Sequence, residues 1–160
     1  MSVNLRTVDV AWDEGDPEGY NAGYVRVGPL IGAARLGLSV YELPPGQSIA
    51  PYLYELGDEE WLVVLSGRPT LRSPEGEQEL GAWDTVCFPE GPDGAHKLTN
   101  RTGGTVRLAM LSTRRHPAVT VFPDSGKVGI WPPGKIFRLD DAVDYFDGEL
   151  PSAPPPSAAA

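Results

Sequence analysis

Three side chains in this sequence have the chemistry to share a site: Glu55, Glu60 and His96. Two carboxylates and an imidazole can hold a divalent ion, with waters in the open positions. Without an ion, two carboxylates brought together repel, and one takes a proton as its pKa rises. The imidazole then shares the proton traffic. On an extended strand, side chains two apart share a face. Leu53 therefore points with Glu55, as an oily wall that can bind no ion. Glu60 shares its face with Leu62 and Val64, which predicts that it turns inward. His96 follows the turn Gly91-Pro92-Asp93-Gly94 and can approach from across a barrel. Two readings stay open: Glu55 in solvent at a loop edge, and His96 as a hydrogen-bonded strand-end histidine.

The other reactive side chains have plainer readings. His116, between Arg115 and Pro117, is expected at the surface. Cys87 is the only cysteine, so no internal disulfide forms. Its run Asp84-Thr85-Val86-Cys87-Phe88 predicts a strand with Cys87 as a small core residue. Tyr52, Tyr54 and Trp61 flank the acidic cluster, either covering an outer face or dimer contact or packing beneath the N-terminal residues. The Gly91–Gly94 turn lacks the Lys-Ser/Thr pair of a phosphate loop. His96 has no distinctive serine partner for a nucleophilic triad.

What must position these groups is a set of short strands. Nineteen glycines and 17 prolines among 160 residues favour many turns over long helices. Strands are predicted over 36–43, 60–65, 70–73, 83–88 and 119–122, with a tight Pro44-Pro45-Gly46 turn and a hairpin turn at 74–77. Residues 95–100 and 105–112 are expected to form a hairpin around Gly103-Gly104. Residues 140–146 are the best helix candidate, capped by Asp140 or Asp141. The chain divides into an N-terminal arm and strands (1–35) anchored by Trp12 and Tyr20, a barrel core (36–113), a C-terminal extension (114–149) and a Pro/Ala/Ser-rich tail (150–160) expected to be disordered.

The net charge of −9 argues against a nucleic-acid partner and against docking on anionic lipid. No basic segment leads into an apolar one at the start, and no apolar stretch is long enough to cross a bilayer. A cytoplasmic protein is expected.

Two segments carry a resemblance. Gly46, Glu60 and Gly67 match the first motif of the cupin superfamily, with six residues between Glu60 and Gly67. Pro89, Gly91, His96 and Asn100 match the second, with the gap before His96 slightly stretched. The resemblance covers roughly residues 36–113 and is to single-domain cupins of the conserved-barrel type. It implies an all-β fold, a double-stranded β-helix (jelly-roll) barrel, here with an N-terminal arm and a short C-terminal helix, and usually a homodimer. It also implies a bound metal such as Zn, Mn, Fe or Ni. The family's ligand positions fall on Leu53, Glu55, Glu60 and His96. Leu53 replaces a histidine and Glu55 another, which leaves Glu55, Glu60 and His96 as metal ligands. The expected function is a barrel that binds a small polar metabolite and carries a degenerate metal site. The alternative is a metal-dependent oxygenase, isomerase or lyase using the same three residues.

Overall fold

Residues 2–149 are described by the computed structural model. Twelve strands follow in order: β1 (Gly23–Arg26), β2 (Leu36–Leu43), β3 (Tyr54–Leu56), β4 (Glu60–Ser66), β5 (Thr70–Ser73), β6 (Gly76–Glu79), β7 (Thr85–Phe88), β8 (Lys97–Thr99), β9 (Val106–Thr113), β10 (Ala118–Phe122), β11 (Lys127–Trp131) and β12 (Lys135–Arg138). One short helix, α1 (Val27–Leu30), joins β1 to β2.

The strands build two opposed walls. One is a five-stranded sheet in the order β1-β2-β9-β4-β7. The other combines a four-stranded sheet, β12-β11-β10-β3, with a three-stranded sheet, β6-β5-β8. Backbone bridges between Leu53 and His96 and between Ser48 and Thr99 tie the segment leading into β3 to β8 and its flank. These join the two smaller sheets into one surface. Alternation along the strands then sends apolar side chains into the gap. Leu43, Leu62, Val64 and Leu108 from the first wall meet Leu71 and Leu98 from the second. Burying each such side chain contributes roughly 1.5–3 kcal/mol.

The outer face of the first wall is also covered. Val27, Val40, Leu65 and Ala109 form a second cluster, closed by Val3, Leu5, Val8 and Val10 of the N-terminal arm. Arg107 fastens that arm. Its guanidinium donates to the carbonyls of Leu5 and Val8 and pairs with Glu42. The arm is thus held by small aliphatic residues, and Trp12, an expected anchor, is half exposed.

Three expectations are corrected. Residues 140–146 do not form a helix: only a 3₁₀ turn, Leu139–Asp141, appears there. Val143, Tyr145 and Phe146 are largely exposed, so the segment has no packed face to hold so short a helix. Residues 95–100 and 105–112 do not pair as a hairpin. β8 pairs with β5, whereas β9 pairs with β2 and β4. The buried Asn100 makes the corner between walls, donating to the carbonyls of Leu43 at 2.8 Å and Gly104 at 2.7 Å. Cys87 is exposed. It sits opposite Trp61 on the outer face, while Phe88 takes the inner one. The tail call, 150–160, lies outside the described residues.

Candidate functional site

At one end of the barrel the inward-facing positions become polar. On β2 the inner face runs Leu43, Tyr41, Ser39, Gly37. On β9 their register partners are Val106, Leu108, Met110 and Ser112. Glu60 is the first residue of β4, paired with Ser112 on one side and Phe88 on the other. Its inward direction follows from Leu62 and Val64, which share its face and are fully buried.

His96 reaches Glu60 from the opposite wall. Its Nε2 lies 3.7 Å from Glu60 Oε2, with the His96 side chain 8% and the Glu60 side chain 20% exposed. Two features fix the imidazole. Its Nδ1 lies 2.9 Å from the carbonyl oxygen of Gly94, and a carbonyl only accepts, so Nδ1 carries the proton. The ring also stacks on Phe88, centroids 3.8 Å apart and planes 12° from parallel. The approach of Gly94 depends on its missing side chain, since a Cβ there would meet the Pro89 carbonyl oxygen at 1.8 Å.

Burial sets the protonation of this pair. The Glu60 carboxyl is pushed up to about 7, first by desolvation, then by the charges of Glu55 and Asp58. Burial pulls His96 down, partly opposed by its bond to Gly94. A neutral imidazole with Nδ1–H committed to Gly94 leaves the Nε2 lone pair facing Glu60. Near neutrality the Glu60 carboxyl is therefore partly protonated and faces an unprotonated Nε2. Tyr41 closes the same space. Its hydroxyl is pushed up by burial and then by the charge of Glu60.

Glu55 belongs to this pocket electrostatically, since its charge raises Glu60. Its carboxylate is engaged elsewhere. The Thr120 hydroxyl lies 2.8 Å and 3.0 Å from its two oxygens, and the Trp131 indole N–H donates to Thr120 at 3.2 Å. Burial raises Glu55, and the Thr120 bond opposes that rise. Asp58, read from the sequence only as part of a turn, is buried. It accepts from the Thr113 hydroxyl at 2.7 Å and the Arg115 amide at 3.0 Å.

Leu53 is a direct neighbour of His96. The two exchange both backbone hydrogen bonds, at 3.1 Å and 2.8 Å, so their side chains lie side by side on one face. Both line a void of ≈ 20 Å³ with Met110, room for about one water. An aliphatic group thus occupies the position next to His96. Among the described residues no three of His, Cys, Asp and Glu are grouped to hold a metal ion. The donor set as it stands does not fit a resident metal.

A larger cleft of ≈ 370 Å³ opens beside this polar end, a size in the range of metabolite sites. Gly37, Ser39 and Ser112 form its wall, Trp131 one side, and Arg26, Arg114 and His116 its rim. Ser112 is the backbone partner of Glu60, and Trp131 reaches Glu55 through Thr120, so the cleft lies against the acidic end of the barrel. His116 is exposed, as expected.

The sequence reading missed Tyr41, Thr120, Phe88 and Trp131. The register of β10 on β3, which sets Thr120 against Glu55, has no local signature. Alternation of Ser39 and Tyr41 with Val40 was the one available sign for the β2 pair.

This architecture is the cupin fold. A cupin-superfamily protein from Silicibacter pomeroyi described as a sugar phosphate isomerase superposes with a TM-score of 0.78 at 21% identity, covering 92% of this chain and 98% of that one. A putative sugar phosphate isomerase from Acidithiobacillus ferrooxidans gives 0.72 at 23%, covering 79% and 81%. The polyketide cyclase RemF from Streptomyces resistomycificus gives 0.59 at 23%, covering 74% and 82%. No family model matches the sequence, and no curated protein matches it.

Proposed function

We propose that this chain binds a small polar metabolite at the open, polar end of its barrel and moves a proton on it without a resident metal. The observation that carries the reading is the buried Glu60–His96 pair, 3.7 Å apart, with the imidazole tautomer set by Gly94. A carboxyl poised near 7 can take and return a proton at neutral pH. The two sugar phosphate isomerases of similar fold suggest the reaction type. An isomerase of that kind acts on a hydroxy-carbonyl compound. Ionised Glu60 takes the proton from the carbon beside the carbonyl; the C–H electron pair forms a carbon–carbon double bond and the carbonyl π pair moves to the oxygen, giving an enediolate. The proton returns to the neighbouring carbon, and no oxidant or reductant is consumed. His96 accepts or supplies the oxygen-bound proton through Nε2. Tyr41 offers a hydroxyl to the same space.

The metal-dependent alternative needs Glu55 to leave Thr120 and turn to Glu60 and His96. Elemental analysis of protein purified without chelator separates the two: stoichiometric Zn, Mn, Fe or Ni supports the alternative. The proposed reaction is tested by incubating the protein in D₂O with a panel of hydroxy-aldehydes and hydroxy-ketones, some phosphorylated. The expected result is solvent deuterium at the carbon beside the carbonyl of a bound compound, abolished in Glu60→Gln. Saturable binding without exchange would leave a binding protein and refute the proton-transfer step. A homodimer is proposed with it, from the fold alone.

A further inference from the structure

Four of the chain's 13 Lys and Arg residues, Arg26, Arg35, Arg114 and Arg115, line two adjoining clefts that share Leu36 and Arg114. That concentration is unexpected in a chain of net charge −9. No acidic residue lines either cleft. Four guanidiniums elsewhere are paired, Arg68 with Glu79, Arg72 with Asp124, Arg101 with Glu77, and Arg107 with Glu42, while Arg6 and Arg138 lie outside both clefts. Arg115 lies 3.9 Å from Glu90. Arg26 and Arg114 form no ion pair among the described residues.

Their placement relative to the barrel is defined by register. Arg26 pairs with Ser39 and so stands on the inner face of the first wall, at its polar end. Its charge is felt by Tyr41, which in turn feels Glu60. The inner face of β1 and β2 thus carries the Arg26 guanidinium and then the hydroxyls of Ser39 and Tyr41, with Glu60 beyond the cleft's own lining. Gly37 lets the Ser112 hydroxyl stand in the cleft wall, because a Cβ there would meet it at 2.5 Å. Such a gradient suits a ligand with an anionic group at one end and hydroxyl or carbonyl groups at the other.

We propose that Arg26 and Arg114, with His116 beside them, form an anion subsite that takes the phosphate or carboxylate of the metabolite. The two forks engage an anion's oxygens by charge-assisted hydrogen bonds. Ser39 and Ser112 face the next part of the ligand, and the Trp131 indole covers one flank. This assignment rests on the proposed reading of the barrel end as the metabolite site and names the ligand's anionic class.

The experiment is an NMR titration of the full chain at constant ionic strength. Inorganic phosphate and acetate serve as separate probes, and chloride as the balancing anion. The Arg side-chain N–H and Trp131 indole N–H signals are the readout. The assignment predicts saturable shifts at Arg26, Arg114 and Trp131 with phosphate, acetate or both, and the stronger probe names the group. Arg26→Gln combined with Arg114→Gln should weaken that binding about tenfold or more, with an unchanged melting temperature. Arg68→Gln combined with Arg138→Gln serves as a charge-matched control and should leave that binding unchanged. Unsaturable shifts, shifts spread over all arginines, or equal affinity in the double variant would overturn the subsite. The outcome is separable from the proton-transfer reading. Anion binding at the rim without deuterium exchange keeps the subsite and removes that reaction. Exchange that is indifferent to the double variant removes the subsite and keeps the reaction.

Discussion

Replacing Glu60 by Gln should stabilise the protein, and by an amount that depends on pH. In the fold the Glu60 carboxyl is raised from its ordinary 4.5 to about 7, so the native state binds the proton more tightly than the unfolded chain does. For an acid raised in this way, the penalty is absent below the unfolded value. It grows as pH rises through the window from 4.5 to 7 and is constant above. The rise from 4.5 to about 7 amounts to roughly 3 kcal/mol at full size. The Glu60 side chain is only 20% exposed, so screening removes little of it. Gln keeps the shape and a hydrogen-bonding head but cannot ionise. Urea unfolding of both proteins from pH 4 to pH 8.5 measures the difference. The variant should match the wild type near pH 4, gain about 1 kcal/mol by pH 5.5, and lead by about 3 kcal/mol at pH 8. For a chain of this size that corresponds to a rise in Tm of roughly 6–12 °C. His96, lowered by burial, destabilises both proteins as pH falls below 6.5, so the difference between them isolates Glu60. A pH-independent difference, or one of opposite sign, would refute the claim that Glu60 is buried beside a neutral imidazole.

Leu53→His places an imidazole beside His96 on the face of Glu55; divalent-metal affinity, read by calorimetry with Zn²⁺, should rise about tenfold or more, and no rise would show that position 53 does not line the pocket. Gly94→Ala drives a Cβ into the Pro89 carbonyl; it should cost about 3 kcal/mol in urea unfolding and disturb the His96 ring signals, and a variant as stable as wild type would contradict the close approach. Arg107→Ala frees the carbonyls of Leu5 and Val8 and strands Glu42; it should cost about 2–4 kcal/mol and open the N-terminal arm to limited proteolysis, whereas a protected arm would mean that the aliphatic contacts alone hold it.

Much of the strand pattern was legible because it is local. Alternation and flanking turns placed β2 and β5 at 36–43 and 70–73, where they are found. Pairing was less legible, because it is decided by contacts distant along the chain. The Gly103-Gly104 turn reads as a hairpin, yet Asn100, wholly buried, redirects the strand to the opposite wall. Cys87 was misread because a five-residue run cannot tell which of its two faces looks inward, and only the register with Trp61 decides that. At the site, the inward turn of Glu60 followed from Leu62 and Val64. The nearness of His96 followed from motif order, and the side-by-side placement of Leu53 and His96 from neither. The hold of Thr120 on Glu55 arises from a strand beyond the segment that carries the resemblance, so nothing near Glu55 announced it.

The central claim is that a Glu60 carboxyl raised by burial faces the unprotonated Nε2 of a neutral His96, and carbon and nitrogen NMR of the two side chains reads it directly. The account predicts a Glu60 carboxyl midpoint near 7 and a neutral His96 with hydrogen on Nδ1 and none on Nε2. A Glu60 midpoint at the ordinary carboxylate value, or a His96 protonated on Nε2 at neutral pH, would contradict it.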